Sequence, residues 1–156
     1  MVKIIKLIIS LIICQLAGLI GSIFTSPSIG TWYATINKPS FTPPSWIFGP
    51  VWIFLFLLMG ISLYLVWENG FKSRENKMAL NLFMIQLILN TFWSIIFFGL
   101  HSPIFAFIEI ILLWIVILFT MLRFYRISKT ASYLLIPYII WVTFAAFLNL
   151  SIVLIN

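Results

Sequence analysis

Two groups of side chains carry chemistry at helical spacing. Gln86, Asn90, Trp93 and Phe97 follow one another at intervals of four, three and four, which puts them on one helical face. Tyr138, Trp141, Ala145 and Asn149 follow at three, four and four. Amide side chains in hydrocarbon are costly unless they find partners. One use for them is hydrogen bonding between helices, worth about 0.6–2 kcal/mol each. The other is an amide, that of Asn90, offered to a ligand. Trp141 with the small Ala145 on the same face leaves a slot that a flat ligand or a neighbouring helix would fill. Trp52, Trp93 and Trp141 all lie within apolar runs. Each indole has a flat face and one N–H donor. Gathered round a cavity, they suit a large, flat, mostly apolar ligand with a polar edge.

Ordinary polar catalysis finds little support. Glu109 lies six residues into an apolar run. A charge at mid-membrane costs at least about 2.5–3.5 kcal/mol, so Glu109 should face other helices or be protonated. A hydrogen bond to a neighbouring helix, a proton relay and a ligand contact all remain open for it. One histidine, His101, and one cysteine, Cys14, make no metal constellation and no disulfide. There is no serine–histidine–acid set, no P-loop and no dinucleotide glycine signature.

The elements that position these residues follow from composition. Of 156 residues, 63% are hydrophobic and only 8% charged. Soluble domains carry roughly a quarter charged residues, so this chain belongs in a bilayer. Five apolar runs, near 4–25, 46–67, 79–99, 103–123 and 130–153, are long enough to cross one as helices. Barrel strands would alternate polar and apolar residues, and these runs do not. The chain therefore reads as one all-α membrane domain over 1–156, a bundle of five helices. The first run is read as a span rather than a signal peptide, because it is too long and no small-x-small site follows. Its Ser10, Cys14, Ala17, Gly18, Gly21 and Thr25 share a face that admits close helix approach or lines a cavity.

Residues 26–45 are predicted to be a loop of about twenty residues, folded as a lid because it holds Trp32, Tyr33, Ile36 and Phe41. The stretch from Lys38 to Trp52 contains four of the seven prolines, Pro44 among them, and forms a stiff mouth. Ser102 before Pro103 predicts a capped helix start. Pro137 should break one backbone bond and bend the last helix. Five spans put Lys3, Lys6, Lys72, Arg74, Lys77, Arg123, Arg126 and Lys129 on one side and only Lys38 on the other. Positive residues stay cytoplasmic, so the amino terminus is expected inside and the lid and carboxyl end outside a bacterial-type plasma membrane. The net charge of +6 thus reports topology, not nucleic acid.

The sequence resembles the TspO/MBR family, the tryptophan-rich sensory proteins and translocator proteins (peripheral-type benzodiazepine receptors). The match runs through Trp32-Tyr33, Lys38-Pro39-Ser40-Phe41, Pro43-Pro44, Trp46 and Gly49-Pro50-Val51-Trp52. It continues through Met59-Gly60, Tyr64-Leu65-Val66-Trp67, Gln86-Leu87, Leu89-Asn90, Trp93, Phe97-Phe98-Gly99, Pro137-Tyr138, Trp141 and Leu148-Asn149. The resemblance implies a five-helix bundle, usually a homodimer, whose cavity opens toward the first loop. It implies binding of porphyrins such as protoporphyrin IX and of isoquinoline carboxamide and benzodiazepine drugs, with no cofactor required. It also implies, for some bacterial members, light- and oxygen-dependent porphyrin breakdown. By position Trp52, Asn90, Trp141 and Ala145 match pocket residues, and Trp52 with Trp141 would be the photochemical pair. Trp93, Tyr138, Trp32, Tyr33, Lys38 and Pro44 complete the expected binding set, Lys38 meeting a propionate at the mouth. Phe105 stands where mitochondrial relatives have a pocket tryptophan. The closing Leu148 to Asn156 lacks the tyrosine and basic residue of their sterol motif.

The readings that follow are a porphyrin receptor, then a tryptophan-dependent porphyrin-degrading enzyme, then a tetrapyrrole or sterol transporter. A structural subunit with a filled core is the remaining contrast. Transport has no inverted repeat to support it, since five spans do not divide evenly.

Overall fold

The computed structural model describes residues 1–156 and is helical, with five segments long and apolar enough to cross a membrane. In chain order the helices are α1 (Val2–Ile29), α2 (Trp32–Thr35), α3 (Ser45–Trp67), α4 (Arg74–Ser94), α5 (Pro103–Ile127), α6 (Lys129–Leu134) and α7 (Ile136–Ile155). A π-helical turn, Ile95–Gly99, prolongs α4, and α6 with α7 makes the fifth span. The neighbours form a ring: α1 packs on α3 and α4, α4 on α5, α5 on α6 and α7, and α6 back on α3.

Several boundaries differ from the sequence reading. α1 runs on through Pro27 to Ile29, and Trp32–Thr35 is helical, so the irregular lid shrinks to 36–44. Pro27 is tolerated near the end of the helix because few backbone bonds remain beyond it. Pro50 lies in the second turn of α3, where it removes the bond to the Trp46 carbonyl one turn from the helix start. α5 starts at Pro103 as expected, but Ser102 makes no side-chain cap. Pro137 does not kink a continuous helix. The chain turns at Leu135 and restarts, with Pro137 in the first turn of α7. Arg123 and Arg126 belong to α5, not to a loop.

The end carrying the basic residues is tightly packed. Eighteen buried residues of α1 and α3 through α7 form one core there and in mid-bundle, including Phe83 stacked on Phe124 at 5.6 Å. Ser62 on α3 donates to the Ala131 carbonyl at 2.7 Å, fixing α6 against α3. The small face of α1 brings backbones together: a Cβ on Gly60 would lie 2.9 Å from the Leu11 Cα, and one on Gly18 2.5 Å from the Phe56 ring. Lys3 and Lys6 reach Glu68 at 3.8 and 3.3 Å, and Arg126 reaches Glu75 at 3.6 Å. The amino-terminal, second and fourth basic segments therefore share one end of the bundle.

At the other end the lid is tied down. Ser28 Oγ donates to the Phe98 carbonyl at 2.7 Å. Asn37 and Asn156 exchange two hydrogen bonds, at 3.0 and 2.9 Å, joining the lid to the end of α7. Lys38 Nζ donates to the carbonyls of Tyr33 (2.6 Å) and Ile36 (3.1 Å) and sits over the Tyr33 ring. Burial pushes the Tyr33 phenol above its ordinary pKa, so it stays neutral. His101 takes φ of 52° in the short turn before α5 and stacks on Trp32 at 4.6 Å.

Candidate functional site: a tryptophan-lined cavity

Under the lid lies a cavity of about 670 Å³. It forms because α3 is held to α6 at the basic end, while α3 and α7 make few close backbone approaches. Aromatic rings meet across this gap: Phe48 and Trp141 edge-on at 6.0 Å, Trp52 and Tyr138 at 6.3 Å, and the lid's Phe41 and Phe144 at 6.3 Å. The volume falls in the range of small-molecule sites, about 300–1,000 Å³.

Among the predicted binding residues, Trp52, Asn90, Trp93, Trp141, Ala145 and Tyr33 lie on the cavity wall. Four others do not. Tyr138 is fully buried behind the wall, where its hydroxyl donates to Gln86 Oε1 (2.7 Å) and accepts from Asn90 Nδ2 (2.8 Å). Three residues separate it from Trp141, which turns it some 60° away from that ring and toward α4. Trp32 packs on His101 and Phe97 above the cavity. Lys38 is not on the cavity wall, and its ammonium gives two of its three donors to lid carbonyls. Pro44 is the residue before α3 and does not reach the wall.

The polar groups divide by their hydrogen bonds. Gln86, Tyr138 and Asn90 chain α4 to α7. Trp93 Nε1 donates to Asn149 Oδ1 at 3.0 Å, and Asn149 Nδ2 donates to the Pro103 carbonyl at 2.8 Å. That amide face is helix glue, as the first of the two readings had it. The Asn90 carbonyl oxygen receives no hydrogen bond from the protein, and the residue lines the cavity. The indole N–H groups of Trp52 and Trp141 likewise have no protein acceptor, whereas those of Trp93 and Trp114 do. These three unspent groups lie on a mostly apolar wall that also carries the hydroxyls of Tyr33, Ser26, Ser45 and Ser94. Glu109 departs from the hydrogen-bonded carboxyl expected for it: both its oxygens are buried without a partner, and it lies off the wall. No group of three His, Cys, Asp or Glu is placed to hold a metal.

Sequence reasoning missed several wall residues. Phe48 and Phe56 flank Trp52 at intervals of four, a same-face signal that was legible. Phe98, next to the Phe97 already placed on the α4 face, also lines the cavity. The π turn, with Leu100 N–H donating to the Ile95 carbonyl at 2.8 Å, underwinds the helix and shifts the register there. Gly21, Ser22 and Thr25 continue the small face of α1 onto the wall, so that face both packs and lines.

Comparison with known proteins agrees with this geometry. The model of the TspO/MBR family matches residues 10–155. A tryptophan-rich protein TspO of Chlorobaculum tepidum is 46% identical over 154 residues, covering 99% of this chain and 98% of its own. That of Archaeoglobus fulgidus is 47% identical over 154 residues, covering 99% of each. The translocator protein of Homo sapiens is 38% identical over 136 residues, covering 86% of this chain and 80% of its own. With a helical bundle of five spans and its tryptophan-lined hollow, this chain belongs to the TspO/MBR family.

Proposed function

We propose that this membrane protein is a receptor for porphyrins of the protoporphyrin IX kind and for isoquinoline and benzodiazepine-type molecules of similar flatness. The observation that carries the reading is the wall itself. Trp52, Trp93 and Trp141, from three different spans, border one 670 Å³ hollow in which two indole donors and the Asn90 carbonyl remain free. Indole faces stack on a macrocycle, and unspent donors meet its polar edge. Propionates would meet water, the headgroups or the third N–H of Lys38, whose charge has no acidic partner. The reading includes a homodimer and a cytoplasmic basic end, the latter supported by eight cations against one.

The test is a fluorescence-quenching titration with protoporphyrin IX. Trp141→Ala and Ala145→Phe should each weaken binding by about tenfold or more, as loss or blocking of a central contact does. Both proteins should keep their helical content. Unchanged affinity in both would refute the site.

A second reading shares the geometry, because Trp52 and Trp141 would lie against any bound macrocycle. An excited porphyrin takes an electron from indole and passes it to dissolved oxygen; the indole radical cation regains an electron from the macrocycle, and the superoxide adds to that oxidised ring, so the porphyrin takes up O2 and indole is regenerated. Illumination of the complex should then bleach the porphyrin more slowly with Trp52→Phe or Trp141→Phe. Equal bleaching rates leave the porphyrin acting alone.

A further inference from the structure

The wall of the cavity is not uniformly enclosed. Every wall residue that is exposed belongs to α1 or α3, among them Leu16, Leu19 and Ser26 on α1 and Ser45, Gly49 and Ile53 on α3. The wall residues of α4, α5 and α7 are buried or half-buried. The hollow therefore reaches the surface along one seam.

That seam is shut at the basic end and open at the lid end. Its glycines show the change. Toward the basic end, at Gly60, an added Cβ would strike Leu11 at 2.8 Å. Gln15 Nε2 crosses the seam to the Ile53 carbonyl at 3.1 Å, and at Gly18, past the middle of α1, an added Cβ would still strike the Phe56 ring at 2.5 Å. At Gly49 it would meet nothing within 4 Å beyond its chain neighbours. From Leu19 to Ser26 the open stretch is about 10 Å of helix. The exposed apolar residues beside it, Leu16 at 48%, Leu19 at 60% and Ile53 at 62%, are surfaces for lipid, not water. The other routes are obstructed: the lid by Asn37–Asn156, Lys38 and the buried Tyr33, and the α3–α7 gap by Phe48 against Trp141.

We infer that the cavity loads sideways from the lid-side leaflet, through a slot between α1 and α3. Its ligands are then lipophilic molecules already dissolved in the bilayer. The inference rests on reading the hollow as a binding site, and it adds the phase from which the ligand comes.

Loading rates decide it, with protoporphyrin IX as the probe and the full chain in lipid nanodiscs. Gly49→Leu puts a side chain at the slot, where a Cβ meets no atom beyond its chain neighbours. It should slow association by about tenfold without speeding dissociation, which a lost wall contact would do. Tethering the lid, by Asn37→Cys with Asn156→Cys joined through a short bifunctional thiol reagent, should leave both rates as they were. Unaltered rates in Gly49→Leu, or loading stopped by the tether, overturn the inference. A measurement without ligand separates it from the binding reading. A spin label on Gly49→Cys, in a Cys14→Ala background, should be relaxed more by lipid-dissolved oxygen than by a water-soluble nickel chelate. The reverse order overturns the slot. If protoporphyrin fails to bind at all, the receptor reading falls and the label still decides the route.

Discussion

The two ends of this bundle are built from the same five spans and differ in what fills the space between them. At the basic end, Phe83, Phe124, Met59 and Ile117 are essentially inaccessible and interlock across three helices. At the lid end the same helices present Gly21, Ser22, Ala145 and Gly49 among aromatic rings, and a hollow remains. In a bilayer, helices gain little from leaving lipid, so association rests on close packing and interhelical hydrogen bonds. The difference teaches a division of labour. Packing at the basic end and across mid-bundle holds the helices in register, which releases the lid end from the need to be filled.

The comparison can be broken first by deleting a ring from each half. Phe83→Ala removes the partner of Phe124 from a site with no slack and should cost about 3–5 kcal/mol of unfolding free energy in bicelles. Trp141→Ala removes a larger ring that already borders empty space, and should cost about 1 kcal/mol while reducing porphyrin binding. Equal costs would mean that the lid-end wall is packed as tightly as the core. A gentler probe adds one methyl group on each side. Gly60→Ala drives a carbon into Leu11 backbone and should lose about 1–3 kcal/mol. Gly49→Ala meets no atom beyond its chain neighbours, and its gain in helix propensity is offset by a Cβ beside the Pro50 ring, so stability should change by less than about 0.5 kcal/mol. Thermal unfolding of the two variants side by side reads the contrast, and similar losses would sink it.

The division was partly legible in the sequence. Continuous apolar runs of about twenty residues fix the number of spans, because such runs lack the alternation a barrel needs and only a helix then satisfies the backbone in hydrocarbon. The wall tryptophans were legible too, since Trp52, Trp93 and Trp141 lie on faces shared with small or amide residues. Three features were not. The π turn at Ile95–Gly99 inserts no residue that sequence periodicity would register, yet it brings Phe97 and Phe98 onto one wall. Lys38 looked like a free cation at the mouth, but the nearby carbonyls that hold it exist only once α2 has folded. Tyr138 shares a broad face with Trp141, and only the position of α4 decides that its hydroxyl serves Gln86 and Asn90 instead of a ligand.

Tyr138 lies at the border of the two regions and gives the finest test of where one ends. Its hydroxyl is the middle link between Gln86 on the packed side and Asn90 on the hollow side. Tyr138→Phe removes that link without changing ring volume, so neither half gains or loses space. Interhelical hydrogen bonds of this kind are worth about 0.6–1.7 kcal/mol in membranes, and stability should fall by about 1 kcal/mol. The effect on porphyrin affinity depends on whether the hydroxyl holds Asn90 in its pose at the wall. A double-mutant cycle of Tyr138→Phe with Asn90→Ala separates the two roles, because it isolates the term the residues share. We expect a coupling of about 0.5–1 kcal/mol in unfolding and less than that in binding, since the free Asn90 carbonyl is set by α4 itself. Coupling that is larger in binding than in unfolding would move the border: the hydroxyl, though buried, would then belong to the hollow.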